Sequence, residues 1–216
     1  MMLSVLKVLL GYLLGSVSGS LLLGRLRGVD IRTMGSGNAG GTNAFRTQGA
    51  WFALGVGIVD IGKSALAVAL ARQGESDPAR VLLLGLLAGA AAVAGHVWPL
   101  YHGFRGGKGV AALFGALLVL WPAGFGVVVG VILLTLMTTG YVGLGSMLGG
   151  LALIPAVMLL QPPGPRETWL AAAVVIAAFV IFTHRANLAR LRAGTEHRFE
   201  RARLLWRLVR PRSAPE

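Results

Sequence analysis

Long apolar runs separated by short polar segments make up most of the chain. Several runs approach the ~20 residues that an α-helix needs to cross the hydrocarbon core of a bilayer. The composition agrees, because 55% of the residues are hydrophobic and only 13% are charged, whereas a soluble domain carries about 25% charged residues. The pattern predicts an all-α integral membrane protein, with apolar runs at 2–23, 50–71, 81–100, 110–137, 146–160 and 169–183.

The run 110–137 is too long for one span. A continuous helix of this length would measure roughly 42 Å, against a hydrocarbon core of about 30 Å. Pro122 and Gly124 lie near its middle, and proline interrupts a helix. We therefore predict two short spans, 110–121 and 123–137, and seven spans in all.

The positive charges predict the orientation in the membrane. With seven spans and an external N-terminus, 15 of the 20 Lys and Arg residues fall in the inside segments, as the positive-inside rule requires. Six spans would turn either the arginine-rich end or the first two basic loops outward. We therefore expect a cytoplasmic C-terminus. The polar, glycine-rich segments then lie on the cytoplasmic side and build a single site. The inside segments are 24–49, 101–109, 138–145 and 184–216.

The ends of the chain and its composition exclude some alternatives. The Ser-Val-Ser stretch at 16–18 resembles a signal-peptide cleavage site, but Arg25 follows a long apolar run, so we expect a retained first span. We treat 1–210 as a single domain and 211–216 as a disordered tail. The chain has no cysteine, hence no thiolate chemistry. Membrane topology accounts for most of the net charge of +12, so we expect no nucleic-acid partner.

The segment 35–43, Gly-Ser-Gly-Asn-Ala-Gly-Gly-Thr-Asn, is predicted to be non-helical and to bind an anion. Its glycines free backbone N–H groups that can converge on a phosphate or an oxyanion. A plain connector rich in turn-forming residues is the alternative. The side chains that supply hydroxyls, amides and a fixed cation are Ser36, Asn38, Thr42, Asn43 and Arg46.

A second glycine-rich segment runs from Gly103 to Gly109 and contains Lys108. A lysine at the start of a helix opposes the helix dipole unless an anion lies there, so Lys108 indicates a phosphate subsite. A lysine reaching to the membrane interface is the alternative. His96, near the end of the preceding apolar run, fits a site role and a structural role equally well.

Two further polar segments follow. In the first, Ser146 is either a ligand donor or the N-cap of the next helix. In the second, His184 and Asn187 have the i, i+3 spacing that places them on one face of a helix, although an arginine-rich helix that binds anionic lipid would look similar.

Asp60 and Lys63 lie three residues apart inside an apolar run and could form either a functional or a structural ion pair.

Several common chemistries have no sequence signal. No zinc-type ligand spacing occurs, and we expect no metal site and no cofactor. A Gly-x-Ser-x-Gly elbow is missing. No histidine is followed by an aspartate five residues on, so the His-x4-Asp pair of the acyl-CoA glycerolipid acyltransferases is missing too.

At these segments the chain resembles the bacterial membrane acyl-phosphate:glycerol-3-phosphate acyltransferases. That family carries a Gly-Ser-Gly-Asn-Pro-Gly-Ala-Thr-Asn segment, matched at 35–43 except for Ala39 and Gly41. Its Gly-His-x-Phe-Pro element matches at 95–99 with Trp98 for Phe. The other matches are Phe-x-Gly-Gly-Lys-Gly-Val at 104–110, Asp60 with Lys63, His-x-x-Asn at His184 and Asn187, and Gly-Thr-Glu at 194–196, while Gly143 stands where the family usually has the first serine of Ser-Leu-x-Ser.

The resemblance implies a seven-helix enzyme of the bacterial inner membrane that takes part in phospholipid synthesis. It would transfer a fatty acyl group from acyl phosphate to the 1-hydroxyl of sn-glycerol 3-phosphate, giving lysophosphatidic acid and phosphate. A soluble synthase would supply the acyl phosphate. The active site would face the cytoplasm, and we expect a monomer.

We assign expected roles on this basis. The catalytic set is Ser36, Asn38, Thr42, Asn43 and His184. The base for the glycerol hydroxyl is either a histidine or a phosphate oxygen of the substrate. The substrate-binding set is Gly37, Gly40, Gly41, Arg46, His96, Gly106, Gly107, Lys108, Gly109, Ser146 and Asn187.

Two rival functions were weighed. A transporter of organophosphate anions would need polar residues that continue through the outer halves of the spans, and these halves are almost wholly apolar. A scaffold held together by glycine packing would leave the asparagines, lysine and histidines of the polar segments unexplained.

Overall fold

The computed structural model describes residues 2–205, and every regular element in that range is helical. The predicted disordered tail at 211–216 lies outside the described residues. The α-helices of the described range are α1 Met2–Gly15, α2 Gly19–Leu26, α3 Gly41–Gln48, α4 Ala50–Arg72, α5 Pro78–Val97, α6 Val110–Leu120, α7 Pro122–Thr139, α8 Val142–Leu159, α9 Arg166–Thr183 and α10 Arg185–Arg192.

The long apolar run breaks where the sequence predicts. α6 ends at Leu120 and α7 begins at Pro122. Proline suits the first position of a helix, because the N–H that it lacks would have no partner within the helix there. The break at Trp121-Pro122 is therefore confirmed.

The first apolar run, in contrast, is not one helix. α1 and α2 are separated at residues 16–18 and bend by 45°. Ser16, Ser18 and Ser20 at this break are fully buried. The stretch that resembles a cleavage site is thus packed inside the protein and interrupts a span.

The helices are those of a multi-pass membrane protein. Among the described residues, five helices are long and apolar enough to cross a membrane, and the bent pair α1–α2 adds a sixth candidate. α6 has only 11 residues. The total of seven spans requires counting α6, and it stays a prediction.

Residues 2–125 and 162–168 form one compact unit. In it α1 packs on α4 and α5, and α4 packs on α6. Small residues allow close approach between such helices: a Cβ added at Gly11 would lie 2.8 Å from the carbonyl oxygen of Ala88. Gly95 of α5 likewise faces the backbone of Tyr12 and Ser16.

Residues 126–161 and 169–205 form the second compact unit. Glycines on α8 again make the close contacts. A Cβ at Gly149 would lie 3.0 Å from the side chain of Val128 on α7, and one at Gly150 would lie 3.3 Å from Val180 on α9.

Candidate functional site

Asn43 organises the first glycine-rich segment. Its side chain is 1% exposed, and its Oδ1 accepts a hydrogen bond from the Ser36 N–H at 2.9 Å. Its Nδ2 donates to the carbonyls of Ile31 at 3.1 Å and Met34 at 3.0 Å. The amide therefore closes the loop on itself and fixes the backbone next to Ser36.

The end of this segment is helical, contrary to the sequence-based expectation. α3 begins at Gly41, so Thr42 and Asn43 lie in its first turn. Gly40 is the N-cap, with extended backbone and no capping side chain. The N–H groups of a first helical turn have no partners within the helix, so α3 presents donors where the sequence predicted an anion.

The middle of the segment is attached to α2. The Ser20 hydroxyl donates to the Ala39 carbonyl at 2.8 Å, and both residues are buried. Asn38 lies over Gly40, where an added Cβ would be 2.6 Å from the Asn38 Nδ2. Gly41 has open space on the side where a Cβ would stand.

An ion pair shortly before the first glycine-rich segment contacts the residue just before the second. Arg32 donates to both carboxylate oxygens of Asp30, with its Nη2 at 2.8 Å from Oδ2, and its Nη1 donates to the His102 carbonyl at 3.0 Å. The Arg32 hydrogen bonds lower the pKa of the Asp30 carboxyl below its ordinary value of 3.8. The pair therefore stays ionised at neutral pH and ties residues 30–33 to His102, the residue before the second segment.

The second segment folds back on the C-terminal end of α5. The N–H groups of Gly106 and Gly107 donate to the carbonyls of Val97 and His96, each at 3.1 Å. These carbonyls belong to the last turn of α5, where carbonyl groups have no N–H donors within the helix. Gly109, with a φ of 90°, then caps α6 and leaves Lys108 half-buried at the start of that helix.

His96 lies inside a buried charged cluster. It is 2% exposed, and its Nδ1 is 3.0 Å from the Lys63 Nζ. The same Nδ1 is also 3.4 Å from the Asp60 Oδ1, so this nitrogen faces both members of the Asp60–Lys63 ion pair. The Nε2 edge of the ring packs against Gly107, where an added Cβ would collide with it.

In the second unit, His184 is held by α9. It is 3% exposed and is the N-cap residue of α10. Its Nδ1 lies 2.8 Å from the Val180 carbonyl oxygen, which can only accept. When the ring is neutral, its proton is therefore on Nδ1 and Nε2 carries the lone pair.

Asn187 belongs to a buried hydrogen-bond network. Its Nδ2 donates to Glu196 Oε1 at 2.7 Å, and the Arg190 Nε donates to Glu196 Oε2 at 2.7 Å. A Cβ added at Gly143 of α8 would lie 2.7 Å from the Asn187 Nδ2. Asn187 lies in α10 and His184 is its N-cap residue, both are buried, and Glu196 holds the Asn187 amide in place; that the two side chains share one face stays a prediction.

Ser146 lies deeper in α8 than the sequence suggested. α8 begins at Val142 with Tyr141 as its N-cap, so the N-cap alternative for Ser146 is wrong. The Ser146 hydroxyl donates to the Val142 carbonyl at 3.0 Å within the helix. A serine hydroxyl can bond the carbonyl four residues earlier. Ser146 can therefore lie inside α8, although it is the first residue of the apolar run 146–160.

The remaining sequence-predicted residues divide by exposure. Ser36 and Gly37 are exposed, and Gly107 and Gly109 are buried. The half-buried ones are Asn38, Gly40, Gly41, Thr42, Arg46, Gly106 and Lys108. Within residues 2–205 no three His, Asp or Glu side chains gather as metal ligands would.

Sequence reasoning missed residues that hold these segments in place. Ser20 and Arg32 anchor the first unit, and Glu196 anchors the second. The one local signal was a run of serines inside an apolar stretch, since buried hydroxyls need a partner. From the sequence we considered this stretch only as a cleavage site and predicted a retained first span.

Comparisons with known proteins agree on one family. The model of the family described as "Glycerol-3-phosphate acyltransferase" matches residues 5–194. A glycerol-3-phosphate acyltransferase of Thermus thermophilus is 45% identical over 208 residues, covering 92% of this chain and 97% of the relative. Glycerol-3-phosphate acyltransferase 1 of Deinococcus radiodurans is 42% identical over 197 residues, covering 90% and 95%.

Two solved structures are similar over nearly the whole chain. Both are of PlsY, an integral membrane glycerol 3-phosphate acyltransferase, and are 32% identical to this chain. The glycerol 3-phosphate form has a TM-score of 0.81 and the lysophosphatidic acid form one of 0.80. Each match covers 94% of this chain and 98% of the other.

Asn43→Ala should loosen the first segment. The change leaves the Ser36 N–H and two carbonyls without their partner, which costs about 1–3 kcal/mol for buried groups. We expect hydrogen exchange in residues 31–38 to accelerate by about tenfold, measured by mass spectrometry on the purified protein. Trp51→Ala, at an exposed residue near the start of α4, should leave that exchange unchanged. Equal acceleration in both variants would contradict the role of Asn43.

Proposed function

The chain belongs to the glycerol-3-phosphate acyltransferase family, and we propose that it acylates the 1-hydroxyl of sn-glycerol 3-phosphate with acyl phosphate as the donor. The protein is an acyltransferase that converts glycerol 3-phosphate to lysophosphatidic acid. The observation that carries this conclusion is the full-length similarity to PlsY structures with glycerol 3-phosphate and with lysophosphatidic acid.

The donor is proposed from its chemistry and from the residues available. Acyl phosphate is a mixed anhydride with a good leaving group, so positioning and charge neutralisation suffice without a protein nucleophile. The chain has no cysteine and no Gly-x-Ser-x-Gly elbow. The segments instead offer backbone donors and cations, which suit a phosphate-bearing donor.

The reaction is a direct transfer. The 1-hydroxyl oxygen attacks the carbonyl carbon of acyl phosphate, the new ester bond forms, and the bond from that carbon to the phosphate oxygen breaks. The hydroxyl proton passes to a base and inorganic phosphate leaves. Loop donors at Ser36, Asn38 and Thr42 orient the carbonyl and stabilise the negative charge that develops on its oxygen.

The phosphate groups are assigned to the cations of the first unit. Arg46 lies in the last turn of α3 and Lys108 precedes α6. The N–H groups at Gly40 and Gly41, at the start of α3, add donors to an oxyanion. Asn43 is assigned as the residue that holds this arrangement, since all its amide hydrogen-bonding contacts are within the loop.

In the second unit, His184 and Asn187 are candidate site residues on the sequence evidence. The Nε2 of His184 carries the lone pair that a base requires, and Asn187 is oriented by Glu196. A phosphate oxygen of the substrate is the other base consistent with the chemistry. The kcat of a His184→Gln variant decides between them: a near-normal value excludes His184.

Topology completes the proposal. Seven spans, an external N-terminus and a cytoplasmic C-terminus place each of the four polar segments on the cytoplasmic side, where glycerol 3-phosphate and a soluble acyl-phosphate synthase are found. The distribution of Lys and Arg supports this orientation. The break that makes α6 and α7 separate helices supports the count of seven spans. We assign the protein to a bacterial inner membrane, as a monomer.

Donor choice is the direct test of the activity. Purified protein, palmitoyl phosphate and labelled glycerol 3-phosphate, mixed without metal, should yield labelled lysophosphatidic acid and an equal amount of inorganic phosphate. Palmitoyl-CoA should give no product in the same assay, because its thioester lacks the phosphate that the cations bind. Product formed from palmitoyl-CoA alone would overturn the proposed donor.

Removing either proposed phosphate-binding cation should weaken substrate binding. Hydrogen bonds to a charged group contribute about 1.5–3 kcal/mol, so Lys108→Met and Arg46→Met should each raise KM for glycerol 3-phosphate by roughly 10–100-fold. Steady-state kinetics measure this. Arg105→Met, an exposed cation of the same segment, is the control and should leave KM unchanged. A similar rise in all three variants would point to general charge attraction.

The orientation is testable by labelling, since the chain has no native cysteine. Single cysteines at the exposed residues Thr33, Tyr101 and Thr195 and at the half-buried Thr138, each in a separate variant of the whole chain, should react only with a reagent that reaches the cytoplasm. A cysteine at Ser76 should react from outside. One of the four that reacts from outside would refute the proposed topology.

A further inference from the structure

A buried ion pair lies outside the proposed chemistry. Asp60 and Lys63 are one turn apart on α4, with 2.8 Å between Oδ1 and Nζ, and their side chains are 0% and 5% exposed. His96 of α5 completes the cluster through its Nδ1, 3.0 Å from Lys63 Nζ. Buried charges are costly unless they are paired and hydrogen-bonded. The groups that these side chains contact therefore indicate which parts of the fold the cluster holds together.

The ion pair closes the break between α1 and α2. Lys63 Nζ donates to the Val17 carbonyl at 2.6 Å, and Asp60 Oδ1 accepts from the Gly19 N–H at 3.0 Å. The cation thus meets the carbonyl end of α1, and the anion meets the amide end of α2. Both match the sign of the helix dipoles and satisfy groups that the break leaves without partners.

From this break one hydrogen bond leads to the first glycine-rich segment. Ser20 follows Gly19 directly, and its hydroxyl donates to the Ala39 carbonyl at 2.8 Å. A Cβ at Gly19 would lie 3.3 Å from Asp60 Oδ1, so the α2 backbone sits against the carboxylate. The position of Ala39, in the middle of residues 35–43, therefore follows that of Asp60.

On its other side the cluster reaches the second glycine-rich segment. The His96 ring faces Lys63 and packs against Gly107, and the His96 carbonyl accepts the Gly107 N–H at 3.1 Å. Lys108 is the next residue. The same three side chains therefore contact the supports of both segments of the first unit.

We infer that Asp60, Lys63 and His96 are positioning residues that set the two glycine-rich segments of the first unit in register, so that both can engage glycerol 3-phosphate. The inference rests on the proposed function for its kinetic readout. In this inference none of the three contacts substrate, and His96 takes this role in place of the substrate-binding role expected from the sequence. Each acts through the backbone of residues 17–20, 39 and 106–107.

The kinetic test uses the whole protein with Asp60→Asn and with Lys63→Met. Asparagine keeps an acceptor oxygen for Gly19 but loses the charge that holds Lys63. Displaced segments should raise KM for glycerol 3-phosphate by about tenfold or more. Ser64→Ala is the matched control: Ser64 is also buried on α4, and its hydroxyl has no hydrogen-bond partner among residues 2–205. Its KM should stay within about twofold of the parent protein's.

The split between KM and kcat separates positioning from stability. A cluster that only stabilises the fold would reduce the fraction of active molecules, lowering apparent kcat while KM stays unchanged. That result would overturn the inference. An inactive parent protein would instead refute the proposed function.

A second measurement needs no activity. Nitroxide labels on single cysteines at Thr33 and Tyr101 report the mobility of the two segments, and one at Thr195 in the second unit is the control. In the Asp60→Asn background, the spectra at Thr33 and Tyr101 should both sharpen, with Thr195 unchanged. Spectra that stay the same at both positions would also overturn the inference.

Discussion

Backbone groups released where a helix stops inside this protein must find partners within it, because the hydrocarbon core of a bilayer offers none. The break in the first apolar run meets this constraint with Asp60 and Lys63. The end of α5 meets it with the N–H groups of Gly106 and Gly107. Each interruption of a helix near the candidate site is thus also a connection between segments distant in sequence.

This constraint separates what the sequence could predict from what it could not. The break before Pro122 has a local cause, because proline itself ends the helix, and it was predicted. The break at 16–18 depends on charges more than 40 residues away, in α4. No pattern within residues 2–23 contains that information, and a single long helix was the natural interpretation.

The candidate site shows the same division. Residue type and spacing were enough to select the glycine-rich segments, His184 and Asn187. Only the folded structure shows which of these residues present hydrogen-bond donors outward and which hold the loop together. Asn43 and Ser36 stand seven residues apart and looked equivalent in the sequence, yet one is buried and fully used while the other is exposed. The anchors Ser20 and Glu196 likewise gain their importance only from contacts across the fold.

The short α6 has a further consequence for how two unlike molecules meet. Eleven residues make a helix of about 16 Å, roughly half the thickness of the hydrocarbon layer. As a span, a helix this short requires the bilayer beside it to thin, and Lys108 stands at its start. Under the proposed function, that thinning would shorten the distance between water-soluble glycerol 3-phosphate and an acyl donor held in the membrane.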